Sequence, residues 1–146
     1  MKKRVSVSML ALAFVFTFVF AAGQAIAKDM TATDYKAAAE KVITDVSVSE
    51  AKAMFDKGGC IFLDCRTAKE YKMGHVPGSV NMERGLVEFY MATKVTEDKN
   101  AKIIVYCKTG GRSCLCAKTL LEMGYHNAVS MTGGWKAWEA AGYPID

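Results

Sequence analysis

The sequence predicts an α/β protein whose mostly parallel sheet is flanked by helices on both faces. Two observations carry that prediction. Cys60-Ile61-Phe62-Leu63-Asp64 and Lys102-Ile103-Ile104-Val105-Tyr106 are continuous apolar runs bounded by polar residues, the pattern of strands buried on both sides. Each run leads into a helix-start signal: Thr67-Ala68-Lys69-Glu70 after the first, and Gly110-Gly111 ahead of a helical apolar pattern after the second. Strands that alternate with helices build parallel units with a crossover between them. A chain of 146 residues has room for one such domain.

Taken in order, Met1–Arg4 carries three positive side chains, Val5–Ala22 is an uncharged apolar run, and Ala25-Ile26-Ala27 follows as a small-x-small pattern. That order is a secretory signal peptide. It sets the expectation of cleavage after Ala27, a mature start at Lys28 and a periplasmic location. A retained membrane anchor is the competing reading, because the run is about long enough to cross a bilayer. The Ala-x-Ala site favours cleavage, and no cysteine stands beside it to support a lipid anchor. Losing Lys2, Lys3 and Arg4 takes the net charge from +4 to +1. So small a charge excludes nucleic acid as a partner class, and the mature domain is expected free of the membrane.

Residues 28–44 read as an exposed, Ala- and Lys-rich helical arm that offers a surface for a homodimer, and residues 45–146 as the domain proper. Ser49 fits the N-cap of a short helix through Asp56, stopped at Gly58-Gly59. After the first buried strand, a Thr67/Glu70 capping box starts a helix to Met73 that ends at Gly74. Val76-Pro77-Gly78 is a turn, Ser79–Met82 a short strand and Leu86–Met91 a helix. The second buried strand runs into Cys107–Arg112 and a helix over Ser113–Met123. Asn127–Met131 is the last strand, and Gly133-Gly134 opens a final helix through Ala141.

All five cysteines (Cys60, Cys65, Cys107, Cys114 and Cys116) follow the expected cleavage site. An odd number leaves at least one thiol outside any intrachain disulfide. The absence of Cys-x-x-Cys, with only His75 and His126 as histidines, speaks against a zinc site, and no metal or organic cofactor is expected. Cys60 and Cys65 stand at odd spacing on one strand and face opposite ways. Cys65 reads as a core filler. Cys114 and Cys116, about 200° apart on a helix, read as packing residues.

Open α/β sheets bind ligands at the carboxyl ends of their strands. Asp64-Cys65-Arg66 and Cys107–Arg112 are two such ends, and the second is the stronger signal. A buried cysteine by itself is an inert small hydrophobe. Cys107, however, is followed by Lys108, Thr109, Gly110, Gly111, Arg112 and Ser113. The glycines let amide N–H groups turn inward, and Ser113 is expected to cap a helix whose N-terminus adds positive partial charge. Lys108 and Arg112 add full charges. Every one of these favours thiolate over thiol, so Cys107 is expected to be a nucleophile. His75 fits a residue that pins a turn, and Trp135 and Trp138 fit core anchors.

These pieces resemble a single rhodanese domain across nearly all of residues 45–146. The matching stretches are Leu63–Arg66, Glu70–Asn81, Val105–Ser113 and Leu120–Tyr125, then Gly133-Gly134-Trp135 with Trp138 and Pro144. The resemblance implies a five-stranded sheet and a sulfurtransferase. Such an enzyme takes sulfane sulfur from thiosulfate or polysulfide, holds it as a persulfide, here on Cys107, and passes it to a thiophilic acceptor or partner sulfur enzyme. Arg66 and Arg84 are expected to join Lys108 and Arg112 in a pocket for that anionic donor. The sequence departs from the family at Cys65, where an aliphatic residue is usual. Cell-cycle dual-specificity phosphatases are similar in fold but have five residues between Cys and Arg. Here there are four, a narrower cradle suited to one sulfur atom. Two other readings keep Cys107 at the centre: a non-catalytic sulfide or persulfide carrier, and a thiol redox protein pairing Cys107 with Cys114 or Cys116.

Overall fold

The computed structural model describes residues 29–146, so the expected signal peptide and cleavage site lie outside the described residues. Helix α1 (Ala32–Glu40) begins at a reciprocal cap, with the Thr31 hydroxyl accepting from the Asp34 amide and the Asp34 carboxylate accepting from the Thr31 amide. Strand β1 (Thr44–Val46) and helix α2 (Val48–Lys57) follow. The cap of α2 is Ser47, not Ser49, because Glu50 stands three residues after Ser47 and closes the box. Three residues after Ser49 comes Lys52, which cannot accept an amide proton. Next come β2 (Ile61–Asp64), α3 (Ala68–Lys72) on the expected Thr67/Glu70 box, and β3 (Val80–Asn81). A 3-10 turn (Arg84–Leu86), α4 (Val87–Tyr90) and a π turn (Met91–Val95) stand where one helix was expected. The chain closes with β4 (Ile103–Tyr106), α5 (Gly111–Glu122), β5 (Ala128–Met131) and α6 (Gly134–Ala140).

The sheet order is β1-β5-β4-β2-β3, and every pairing is parallel. β4 is the centre, and all four of its residues are fully buried. Alternation sends Leu63, Ile103 and Val105 to one face, against Val87, Met91, Ala117 and Leu120. Phe62, Ile104 and Tyr106 go to the other, against Ala51, Trp135 and Trp138. Trp138 anchors that side: its ring meets Phe55 and Phe62 edge-on at 5.7 Å, and its indole N–H donates to the Pro144 carbonyl. His75 pins the chain end as a turn residue, through a pair of backbone hydrogen bonds with Asp146 and a ring stacked on Tyr71.

Two further elements differ from expectation. β1 has no apolar alternation of its own, since Thr44 and Asp45 are exposed; backbone pairing to Val129 and Ser130 makes it a strand. α1 is not a free arm. It belongs to the compact unit Thr31–Asp146 and packs on α5, with Ala39 fully buried and the Cys114 thiol donating to the Lys36 carbonyl at 3.7 Å.

Connections leave β2 toward β3 and β4 toward β5 in opposite directions. Right-handed crossovers then put α3 and α5 on opposite faces and open a crevice past the carboxyl ends of β2 and β4. Both strand ends singled out in the sequence meet there. Among the described residues, no helix is long and apolar enough to cross a membrane.

Candidate active site

Cys107 is the first residue past β4, and the chain turns sharply behind it. Gly110 makes the turn at φ +105°, a left-handed conformation that a side chain would strain. Gly110 therefore caps α5, and Ser113, the expected cap, lies inside the first turn with its hydroxyl donating to the Gly110 carbonyl. The turn aims the Gly110 N–H at the Cys107 sulfur, 3.2 Å away. The Cys65 thiol is the strongest single influence that pulls the Cys107 pKa down, to about 4. The amides of Ser113 and Thr109 and the Ser113 hydroxyl act the same way, against the cost of burial. Cys107 is thus a thiolate at neutral pH.

An open cleft of about 430 Å³ leads to that sulfur. One wall is the loop, with Lys108, Thr109, Gly111 and Arg112; the other is the first turn of α1, with Ala32, Thr33 and Lys36. A second cleft of about 330 Å³ shares Lys108 and reaches Arg66, Glu70 and Trp135.

The four cations expected around the sulfur do not converge as free charges. Arg66 is buried and forked onto Asp64, donates to the Gly74 carbonyl, and lies 4.9 Å from the Trp135 ring. Arg84 is not brought to the site: its guanidinium donates to Glu88 and to the Thr119 hydroxyl. Arg112 stands at the cleft mouth with both terminal nitrogens on Glu70, whose carboxyl it holds down at about 2. Each arginine has a nearby acid, and a paired guanidinium is a positioning strut more than a free charge. Lys108 is exposed where the two clefts meet.

Three contributors were not read from the sequence. Cys65 lies against both Cys107 and Cys116 instead of serving only as filler. α1 walls the cleft, and its Thr31/Asp34 cap was the available signal. The N-terminus of α6 clamps the loop, with the Trp135 and Lys136 amides donating to the Cys107 and Lys108 carbonyls at 2.7 and 3.1 Å. The doubled glycine at 133–134 was the trace of that close approach.

Reaction of Cys107 with iodoacetamide is expected to keep its rate as pH falls through neutrality and to lose it around pH 4, as the thiolate is protonated. Cys60, Cys65 and Cys114 are shifted upward and stay unlabelled in that range. Peptide mapping across a pH series reads this, and a midpoint near the ordinary 9.0 would show that the loop does not activate the sulfur.

The rhodanese-like domain family model matches residues 47–141. The chain is 32% identical over 96 residues to the thiosulfate sulfurtransferase GlpE of Pseudoalteromonas translucida, covering 66% of this chain and 89% of that one. It is 27% identical over 99 residues to a sulfurtransferase of Allochromatium vinosum, covering 68% and 90%. Among solved structures, a Rhodopseudomonas palustris protein of unknown function, described as a possible tyrosine phosphatase, superposes with a TM-score of 0.76 at 27% identity, over 85% of this chain and all of that one.

Proposed function

The chain belongs to the rhodanese family, and from that premise we propose that it is an exported sulfurtransferase that carries sulfane sulfur as a Cys107 persulfide. The observation that carries the reading is a sulfur held as thiolate by the Cys65 thiol and the loop N–H donors at the floor of an open cleft. Thiosulfate or polysulfide is the donor class. The Cys107 sulfur attacks the outer sulfur of thiosulfate, the S–S bond breaks, and sulfite leaves with the bonding pair. The extra sulfur then sits among the loop amides, which carry its negative charge without reorganising. A thiophilic acceptor attacks that outer sulfur and returns Cys107 to thiolate.

Phosphate-ester cleavage fits less well. Four residues separate Cys107 from Arg112, and both terminal nitrogens of that arginine donate to Glu70.

Protein mixed with thiosulfate and sampled at once is expected to have gained one sulfur, about 32 Da, mapped to Cys107, and to turn over when cyanide or a thiol is added. Absence of the gain with every sulfane donor would sink the reading. Loading without turnover on small acceptors would point to a carrier that serves a partner enzyme. Intact mass of protein from its native cells tests export, since cleavage after Ala27 leaves Lys28 first.

A further inference from the structure

Cys65 and Cys107 leave neighbouring strands side by side. In the β2–β4 pairing Asp64 stands opposite Tyr106, and the Cys65 amide donates to the Tyr106 carbonyl at 2.9 Å. The next residue on each chain is a cysteine. Adjacent strands lie about 4.8 Å apart, within the roughly 4.4–6.8 Å that a disulfide requires between Cα atoms. Alternation turns both side chains to one face, and both belong to the same buried cluster. The fold has therefore placed a second thiol against the nucleophile, where an aliphatic side chain would have filled the space equally well.

The two sides of Cys107 also differ. The cleft and its loop lie on one side, and Cys65 approaches from the core. A second sulfur on Cys107, drawn toward the loop amides, would leave the Cys107 sulfur open to attack from the opposite side. That is the in-line arrangement a displacement at sulfur needs. Cys114 has no such access, since its thiol is turned to the Lys36 carbonyl.

We propose that Cys65 is a resolving thiol, which discharges a Cys107 persulfide as free sulfide when no acceptor takes the sulfur. The inference rests on the persulfide reading given above. A bond forms between the Cys65 sulfur and the Cys107 sulfur as the bond from Cys107 to the outer sulfur breaks. The outer sulfur leaves with the bonding pair and takes the Cys65 proton, departing as hydrosulfide. The sulfane sulfur gains two electrons, and the two cysteines lose two in becoming a disulfide, so the step consumes nothing else. An external thiol reductant then reopens the disulfide by exchange. Hydrogen bonding to Cys107 and Cys116, with burial, holds Cys65 as a thiol and away from solvent, so it waits as the proton source and reacts only within the chain.

The test is a single loading of purified, thiol-free protein with thiosulfate, desalted, with no acceptor added. Sulfide is trapped with monobromobimane, while intact mass and peptide mapping follow the protein. Wild type is expected to show the extra sulfur in the first samples, then to release about one equivalent of sulfide and end about 2 Da lighter than its reduced form, with Cys65 joined to Cys107. Cys65→Ala is expected to load more slowly, then hold its extra sulfur and release less than about a tenth of the wild-type sulfide. A wild-type persulfide that persists without sulfide release overturns the resolving role and leaves the persulfide reading standing, as does a disulfide mapped to Cys65 and Cys116. If neither protein takes up sulfur, the persulfide reading fails and this inference falls with it. The wild-type arm decides without the variant, should Cys65→Ala fold poorly.

Discussion

Cys107→Ser is expected to lower sulfur-transfer turnover by about 10⁴-fold or more while leaving the fold intact, the scale seen when a nucleophile is removed. The serine hydroxyl keeps the size of the side chain and can accept the Gly110 N–H that now reaches sulfur at 3.2 Å. What it loses is ionisation. The Cys65 thiol and loop amides that bring a thiol down to about 4 have no comparable hold on a hydroxyl, which begins far higher. It also loses the ability to form the S–S bond on which transfer depends. Initial rates with thiosulfate and cyanide, beside thermal melts by circular dichroism, measure both halves. A well-folded variant within tenfold of wild type would mean that a different thiol carries the sulfur.

Gly134→Ala should damage the site from outside it. A Cβ on this residue would stand 2.4 Å from the Cys107 carbonyl oxygen and 3.0 Å from the backbone of Lys108 and Thr109, at φ +57°. Every atom it meets is backbone, so no side chain can swing away. Either α6 withdraws or the loop shifts, and in both cases the amide clamps from Trp135 and Lys136 lengthen. Strain plus overpacking predicts a loss of roughly 2–4 kcal/mol in urea unfolding. Displacing the sulfur from its donors predicts a fall in kcat/KM of about 100-fold. Gly85→Ala is the contrast, because its Cβ would enter open space at an ordinary backbone angle, and it should change stability by less than about 0.5 kcal/mol. Equal behaviour of the two variants would show that the close approach of α6 does not hold the loop.

The arginines mark where reading from sequence went astray. Arg66, Arg84 and Arg112 were assembled into one cationic pocket because each follows a strand and a positive charge suits an anionic donor. In the fold they are spent on Asp64, Glu88 and Glu70, and of the four expected cations Lys108 alone is exposed at the cleft without an acid partner among the described residues. Asp64 and Glu88 stand two and four residues from their arginines and only Glu70 comes from a distant helix, so what the sequence leaves open is whether a long side chain folds back on a local acid or reaches the cleft. The same limit hid β1, which has little apolar content and becomes a strand by pairing with β5.

What the sequence determined alone was local and periodic: the buried strands at 61–64 and 103–106, the Thr67/Glu70 cap, and a cysteine ending a strand before two glycines. Burial on both faces, capping and turn chemistry act within a few residues, so they can be read along the chain. The tertiary structure alone decided that Cys65 rests on Cys107, that α1 walls the cleft, and that Gly134 touches the loop. Those contacts follow from strand register and helix packing between segments far apart in the chain, where a shift of one residue would turn every side chain to the other face.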